Sequence, residues 1–202
     1  MVLNLNIILK IKEVITMDGL MLILLCIIVA ACLLFGIYMH LYNSIQDYII
    51  RINEVESIID TNLRNKYDQI NKEVAIVKND EKLNAEINLK EFDDLIRLKN
   101  KKISNFDMDR KLIEANNNFE SLKRKHEALN ELKDLKAISK KIEQYDELLE
   151  VNRDYYNKNI AEYNKLVTLF PTNIVAKICK YKEKLFFDRK DMSDNDFEDF
   201  KL

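Results

Sequence analysis

Imidazoles and thiols, the side chains most used to ligate transition metals or attack electrophiles, are few and scattered along this chain of 202 residues, which has 2 histidines and 3 cysteines. His40 closes an apolar run, and His126 lies among Arg124, Lys125 and Glu127, where it reads as a surface residue rather than a ligand. Cys26 and Cys32 lie inside the apolar run and Cys179 stands alone, so neither a zinc-ligand spacing nor a disulfide framework is present. Cys179 reads as a small core hydrophobe on a helix rather than a nucleophile. No Ser-His-Asp or Cys-His arrangement fits within one helical turn. Asp93-Asp94 and Asp146-Glu147 are sequence neighbours and diverge on a helix. Glu143 and Glu147 share a face, but two carboxylates alone make neither a metal site nor an acid–base pair. The expectation is a non-enzymatic chain with no catalytic residue, cofactor or metal. A hydrolase or transferase assembled where separate helices converge is the enzymatic alternative.

The elements that would position such groups follow from composition. The chain is 33% charged and 48% hydrophobic, with 2 glycines, 1 proline and no tryptophan. Gly19 and Gly36 both belong to the apolar run, and everything from Leu41 onward lacks glycine. That excludes a glycine-rich phosphate loop, a Rossmann turn and the tight hairpins of an all-β domain. Lys, Asn, Ile, Leu and Glu favour long helices, so the fold class is all-α. A net charge of -2 gives no basis for nucleic-acid binding, and no small-molecule substrate is identified.

Residues 19–39 read GLMLILLCIIVAACLLFGIYM, 21 positions without a charge. At about 1.5 Å per residue this helix covers about 30 Å, the hydrocarbon thickness of a bilayer. Tyr38 and Tyr42 stand where an interfacial aromatic belt places them. The rest of the chain is too polar to surround a helix that is apolar on every face, which argues against a buried core helix. Val29-Ala30-Ala31-Cys32 resembles a bacterial lipoprotein cleavage box, which would make Cys32 a lipidated N-terminus; against it, Leu33 to Met39 stay apolar. Lys10 and Lys12 in the N-terminal segment 1–18 place that end in the cytoplasm. A true start at Met17 would remove both lysines and reverse the preference.

From Ile45 the apolar positions Ile45, Ile49, Ile52, Val55, Ile59, Leu63, Tyr67, Ile70, Val74 and Val77 form one amphipathic stripe. With no glycine or proline between, the membrane helix is expected to continue to about Lys78. Asp80 then caps a second helix, Glu81 to about Asn100, with apolar positions Leu83, Ile87, Leu95 and Leu98. Ser104 or Asp107 restarts a long stretch from Leu112 through Phe119, Leu135 and Leu149 to Val167, bent at Asn116-Asn117-Asn118. Pro171 ends it, and Thr172 caps a last helix through Ile174, Ile178 and Leu185. Lys123-Arg124-Lys125 and Lys140-Lys141 read as solvated faces. Stripes of this length must bury against each other. An elongated antiparallel bundle over residues 40–187 follows, with an acidic tail at 188–202.

Two blocks carry a family pattern. The first runs through Tyr42-Asn43, Asp60, Leu63, Tyr67-Asp68 and Val77-Lys78. The second runs through Arg153, Tyr156-Asn157, Tyr163-Asn164 and Phe170-Pro171, to Phe187-Asp188. Their order and spacing resemble the LemA family, and Leu112 through Phe119 resembles its central segment. The chain departs from that pattern at Asn65-Lys66, where an arginine pair is usual, and at Asn71, where a proline is usual; the stretch from Phe119 to Arg153 is longer. The resemblance implies a bacterial envelope protein with one membrane helix and a helical domain, and it transfers no catalytic residue. On the residues alone, Tyr67, Tyr156 and Tyr163 bury rings on apolar stripes. Asn157 and Asn164, seven apart, share a face and would pair across helices to fix register, or present a partner surface.

Together these readings lead to a single-pass, membrane-anchored interaction or scaffold protein of the cell envelope. Its partners would be the lipid bilayer, envelope proteins and a second copy of itself. The alternative is a signalling component in which a continuous helix carries a shift across the bilayer.

Overall fold

The computed structural model describes residues 2–93, 95 and 103–187. All regular structure there is helical. Helix α1 spans Val2–Asn79, α2 Glu81–Glu86, a 3-10 turn Lys90–Phe92, α3 Asn105–Lys125, α4 Ala128–Glu131, α5 Lys133–Thr168 and α6 Thr172–Ile178. The chain divides into two compact units, Met1–Asp47 with Lys165–Lys182, and Tyr48–Asn164 with Glu183–Leu202.

In the first unit, α1 is the one helix among the described residues long and apolar enough to cross a membrane. Its residues 19–37 are exposed on every face, and one-sided burial begins near Tyr38 and is complete at Ile45. Segment 165–182 meets it there, with Cys179 beside Tyr38 and the Tyr181 hydroxyl accepting from Gln46. Helix α5 ends at Thr168, ahead of Phe170-Pro171 as expected. Thr172 is no cap: its hydroxyl donates to the Leu169 carbonyl, and α6 starts without a side-chain cap. Helix α6 stops at Ile178 rather than reaching Leu185. There Tyr181 N–H donates to the Ala176 carbonyl and Lys180 N–H to that of Lys177, with Lys180 left-handed at φ 58°. This is a Schellman stop with lysine where glycine is usual. Cys179 is half-buried at that stop and not a core residue, its sulfur 3.7 Å from the Tyr38 hydroxyl.

The second unit has its core along the expected stripe. Val55, Ile59, Leu63, Tyr67, Ile70, Val74 and Val77 of α1 are buried, as are Leu112, Ala115 and Phe119 of α3 and Leu135, Ile142 and Leu149 of α5. Polar contacts set the register. From Asp109 to Lys123 is 14 residues along α3, and their partners Arg153 and Ser139 lie 14 residues apart along α5, in reverse. Lys66 and Glu73, seven apart on α1, likewise meet Asp146 and Ser139, seven apart on α5. Helix α5 is therefore antiparallel to both neighbours, and the antiparallel bundle is confirmed.

Three details differ from expectation. The helix expected over 81–100 breaks after Glu86: Ile87 is extended, and the Asn88 side chain accepts from Lys90 N–H, an Asx turn competing with the helix. Asp80 does cap α2 through Lys82 and Leu83 N–H, and Leu98 lies outside the described residues. Asn116-Asn117-Asn118 leave α3 helical, because Ala115 and Phe119 on either side are anchored in the core. The reversal falls instead at His126, itself half-buried, where the Asn130 carboxamide donates to the Lys123 carbonyl and Leu129 plugs the turn. The N-terminus of α3 is as expected, with Ser104 Oγ accepting from Asp107 N–H. The expected acidic tail, 188–202, lies outside the described residues.

Candidate functional site

The polar interior of the second unit brings together groups far apart in sequence. Arg153 on α5 is 5% exposed and pairs with Asp109 on α3, 1% exposed, while its Nε donates to the Leu149 carbonyl. Lys66, fully buried on α1, pairs with Asp146. Two turns further, Lys123 Nζ donates to Ser139 Oγ at 2.6 Å, Glu120 Oε1 at 2.7 Å and Glu73 Oε1 at 3.3 Å. Each of its three N–H donors thus meets an acceptor. The reading of Lys123-Arg124-Lys125 as a solvated face holds for Arg124 and Lys125 and fails for Lys123, whose aliphatic stem crosses the core edge to reach Glu73. An open groove of about 1010 Å³ follows these groups along α3 and α5, lined by Lys66, Lys123, Ser139, Asp146, Glu147 and Arg153 among others. Among the described residues no cluster of three His, Cys, Asp or Glu is placed to hold a metal ion.

Glu73 is the most enclosed of these charges. Burial pushes its carboxyl above the usual carboxylate range, and Glu120 adds to this; Lys123 and Ser139 oppose the shift without cancelling it. The folded chain therefore holds this proton more tightly than the unfolded chain does. Stability from Glu73 is complete below the ordinary glutamate value of about 4.3 and is lost as pH rises through the raised folded value. Unfolding free energies of the native chain and Glu73→Gln, measured from about pH 7 down to about pH 5, should show the native chain gaining on the variant as pH falls. A flat difference would show that Glu73 keeps an ordinary affinity for its proton.

A second arrangement occupies the far part of α5. Asn157 Nδ2 donates to the Phe187 carbonyl at 2.8 Å while Phe187 N–H donates to Asn157 Oδ1 at 2.6 Å. Asn164 makes the same two bonds with Lys184, each at 2.9 Å. The expectation that these asparagines pair across helices is corrected: each carboxamide clasps the backbone N–H and C=O of one residue in the extended segment 183–187. The spacing explains why two clasps fit. Seven helical residues rise about 10.5 Å, and three residues of extended chain about 9–10 Å. Phe187 sets its ring edge-on to Phe106 at 6.0 Å and to Tyr156 at 6.1 Å, and Lys184 Nζ lies 5.9 Å from the Tyr163 ring centre. Burial and Glu56 push the Tyr156 phenol above its ordinary value, and burial does the same at Tyr163, so both stay neutral.

Asn157→Ala with Asn164→Ala removes four hydrogen bonds from one segment. Each substitution should cost about 1–3 kcal/mol, at the usual net value of about 0.5–1.5 kcal/mol per bond. Hydrogen exchange should lose protection at the Lys184 and Phe187 amides, and unchanged protection there would disprove the clasp.

The other residues singled out from sequence scatter by role. Leu63, Tyr67 and Tyr163 are core, and Tyr156 is half-buried. Asp60 pairs with Arg64 at 2.8 Å on the surface, and Asn43 and Asp68 are exposed. Tyr42 stacks on Tyr38 with ring centres 6.3 Å apart. Phe170 is 80% exposed and Pro171 is exposed beside it. At the two departures from the family pattern, Lys66 is a buried ion-pair donor and Asn71 donates to the Tyr67 carbonyl within an unbroken α1. Glu73, Asp109 and Lys123 escaped sequence reasoning; the one available signal was a charge recurring at stripe spacing.

Compared with known proteins, the family model described as the LemA family matches residues 55–198. No curated protein and no solved structure matches the chain.

Proposed function

The chain belongs to the LemA family, and from that premise we propose that it is a non-enzymatic, single-pass interaction or scaffold module of the bacterial envelope. The observation that carries this reading lies in the first unit. From residue 19 through residue 37 helix α1 is exposed on every face, and it becomes one-sided by Ile45. A helix of that kind is stable only where its first part meets hydrocarbon and its second part meets protein. The ion network adds support, since Lys66, Lys123 and Arg153 tie α1, α3 and α5 together.

The large region offers helical surface and a clasped segment, the materials of a partner-binding module. Crosslinking and pull-down from intact membranes, with protease access to residues 40–187, tests anchoring, sidedness and partners together. Recovery of the chain with sedimented membranes, bringing crosslinked envelope proteins, is the expected result. Release of the full chain by an alkaline wash would overturn the anchor, and tight association with no crosslinked protein would overturn the scaffold. The signalling alternative draws on the continuity of α1 between the apolar run and the packed stripe. Glycines inserted near Tyr42 would abolish a signal and merely loosen a scaffold.

A further inference from the structure

Sequence periodicity places Ile174 and Ile178 on the buried stripe of the last helix, yet α6 turns them outward. Val175 and Ala176 are buried, whereas Ile174 and Ile178 are exposed, together with Leu169 and Phe170 just before them. Ile174 and Ile178 are four apart in α6 and share one side of it, and Phe170 in the turn just before is 80% exposed. Four large apolar side chains in the open within ten residues form a patch rather than the scattered exposure of an ordinary surface.

Three observations identify what covers it. The patch sits in the same compact unit as the apolar run. Its height along α1 is fixed by the 3.7 Å approach of Cys179 Sγ to Tyr38 Oη and by the hydrogen bond between Gln46 and Tyr181. Tyr38 is the penultimate residue of the apolar run 19–39, which puts α6 level with the place where that run would leave the hydrocarbon. Charge agrees: from Tyr163 to Lys182 the sequence holds no Asp or Glu and four lysines, Lys165, Lys177, Lys180 and Lys182. Lys177 and Lys180 are exposed beside the patch. An apolar edge flanked by lysines at headgroup height is the makeup of an element lying in a membrane surface.

We propose that segment 169–178 is a second membrane contact, in which Leu169, Phe170, Ile174 and Ile178 enter the boundary between headgroups and acyl chains of an anionic leaflet. The proposal rests on the reading of α1 as a membrane anchor. It gives Phe170-Pro171 a lipid-facing role, with Pro171 ending α5 so that Phe170 projects outward. It also fixes the height of the chain at the surface, because the single helix alone can slide and tilt whereas α6 bound flat beside it cannot.

The absence of tryptophan supplies the test. Phe170→Trp makes a full-length chain with one indole, Ile174→Trp is a second such probe, and Tyr155→Trp on the exposed side of α5 is the reference. Each is reconstituted into vesicles of phosphatidylcholine with phosphatidylglycerol, with or without lipid brominated high on the acyl chain. Phe170→Trp and Ile174→Trp should emit at shorter wavelength than Tyr155→Trp and lose most of their emission to the brominated lipid, more so as the anionic fraction rises. Long-wavelength, unquenched emission at both positions from chain firmly held in the vesicles would overturn the second contact and leave the anchor standing. Short-wavelength but unquenched emission would also overturn it, placing a second copy of the chain over the patch instead of lipid. Quenching indifferent to anionic lipid would overturn the part given to the lysines, and failure of the chain to stay with washed vesicles would remove the anchor beneath the proposal.

Discussion

Asp109→Ala should destabilise the helical bundle by about 3–5 kcal/mol, the usual cost of removing one partner from a buried ion pair. Arg153 would be left 5% exposed, with a guanidinium that cannot lose its proton and a single carbonyl, that of Leu149, at its Nε. For a chain of this length the thermal midpoint should fall on the order of 10 °C. Asp109→Asn keeps the shape and an acceptor for Arg153 while removing the charge, so it should fall between the native chain and Asp109→Ala. The informative partner is the double variant Asp109→Leu with Arg153→Met. If the pair serves register more than stability, an apolar pair of similar volume should recover most of the loss, because both desolvation costs vanish together. Thermal unfolding followed by circular dichroism checks all three. A shift of less than about 1 kcal/mol for Asp109→Ala would mean that water reaches Arg153.

Phe119→Ala should cost about 3–5 kcal/mol, since the ring is fully buried and its removal leaves a cavity that the surrounding helices cannot fill. Two features push toward the upper end. The ring meets Phe92 edge-on at 6.0 Å, and Lys123 Nζ lies 5.1 Å from its centre. The second contact ties the apolar core to the ion network, because Lys123 also holds Glu73 and Ser139. Denaturant midpoints of Phe119→Ala and Phe119→Leu give the comparison; leucine should keep more than half of the lost stability. If alanine were tolerated at under about 1 kcal/mol, α3 would not be pinned to the core there.

The sequence foretold most where one force dominated. The apolar run depends on unbroken hydrophobicity and the stripe from Ile45 to Val77 on hydrophobic periodicity, and the structure follows the stripe residue by residue, with Ile49 only half-buried. Caps at Asp80 and Ser104 were readable because the donor–acceptor pairing is local. The reversal at His126 was not, since no glycine or proline marks it and its cause is Leu129 plugging a turn between two packed helices. Lys123 looked like one charge in a basic run, and only the position of Glu73 on another helix makes it an interior residue. Asn157 and Asn164 were noticed for their spacing, but their partners are backbone groups, which carry no letter in the sequence. At Ile174 and Ile178 the apolar pattern was sound, and the assumption that protein covers every apolar stripe was not.

The two asparagine carboxamides reach amide and carbonyl groups that every residue type except proline provides. The exposed Leu185 and Phe186 can therefore change identity with little loss, whereas adding or deleting one residue between Lys184 and Phe187 leaves a carboxamide facing the wrong backbone groups. Between the two clasps, length is the quantity under constraint and spelling is nearly free.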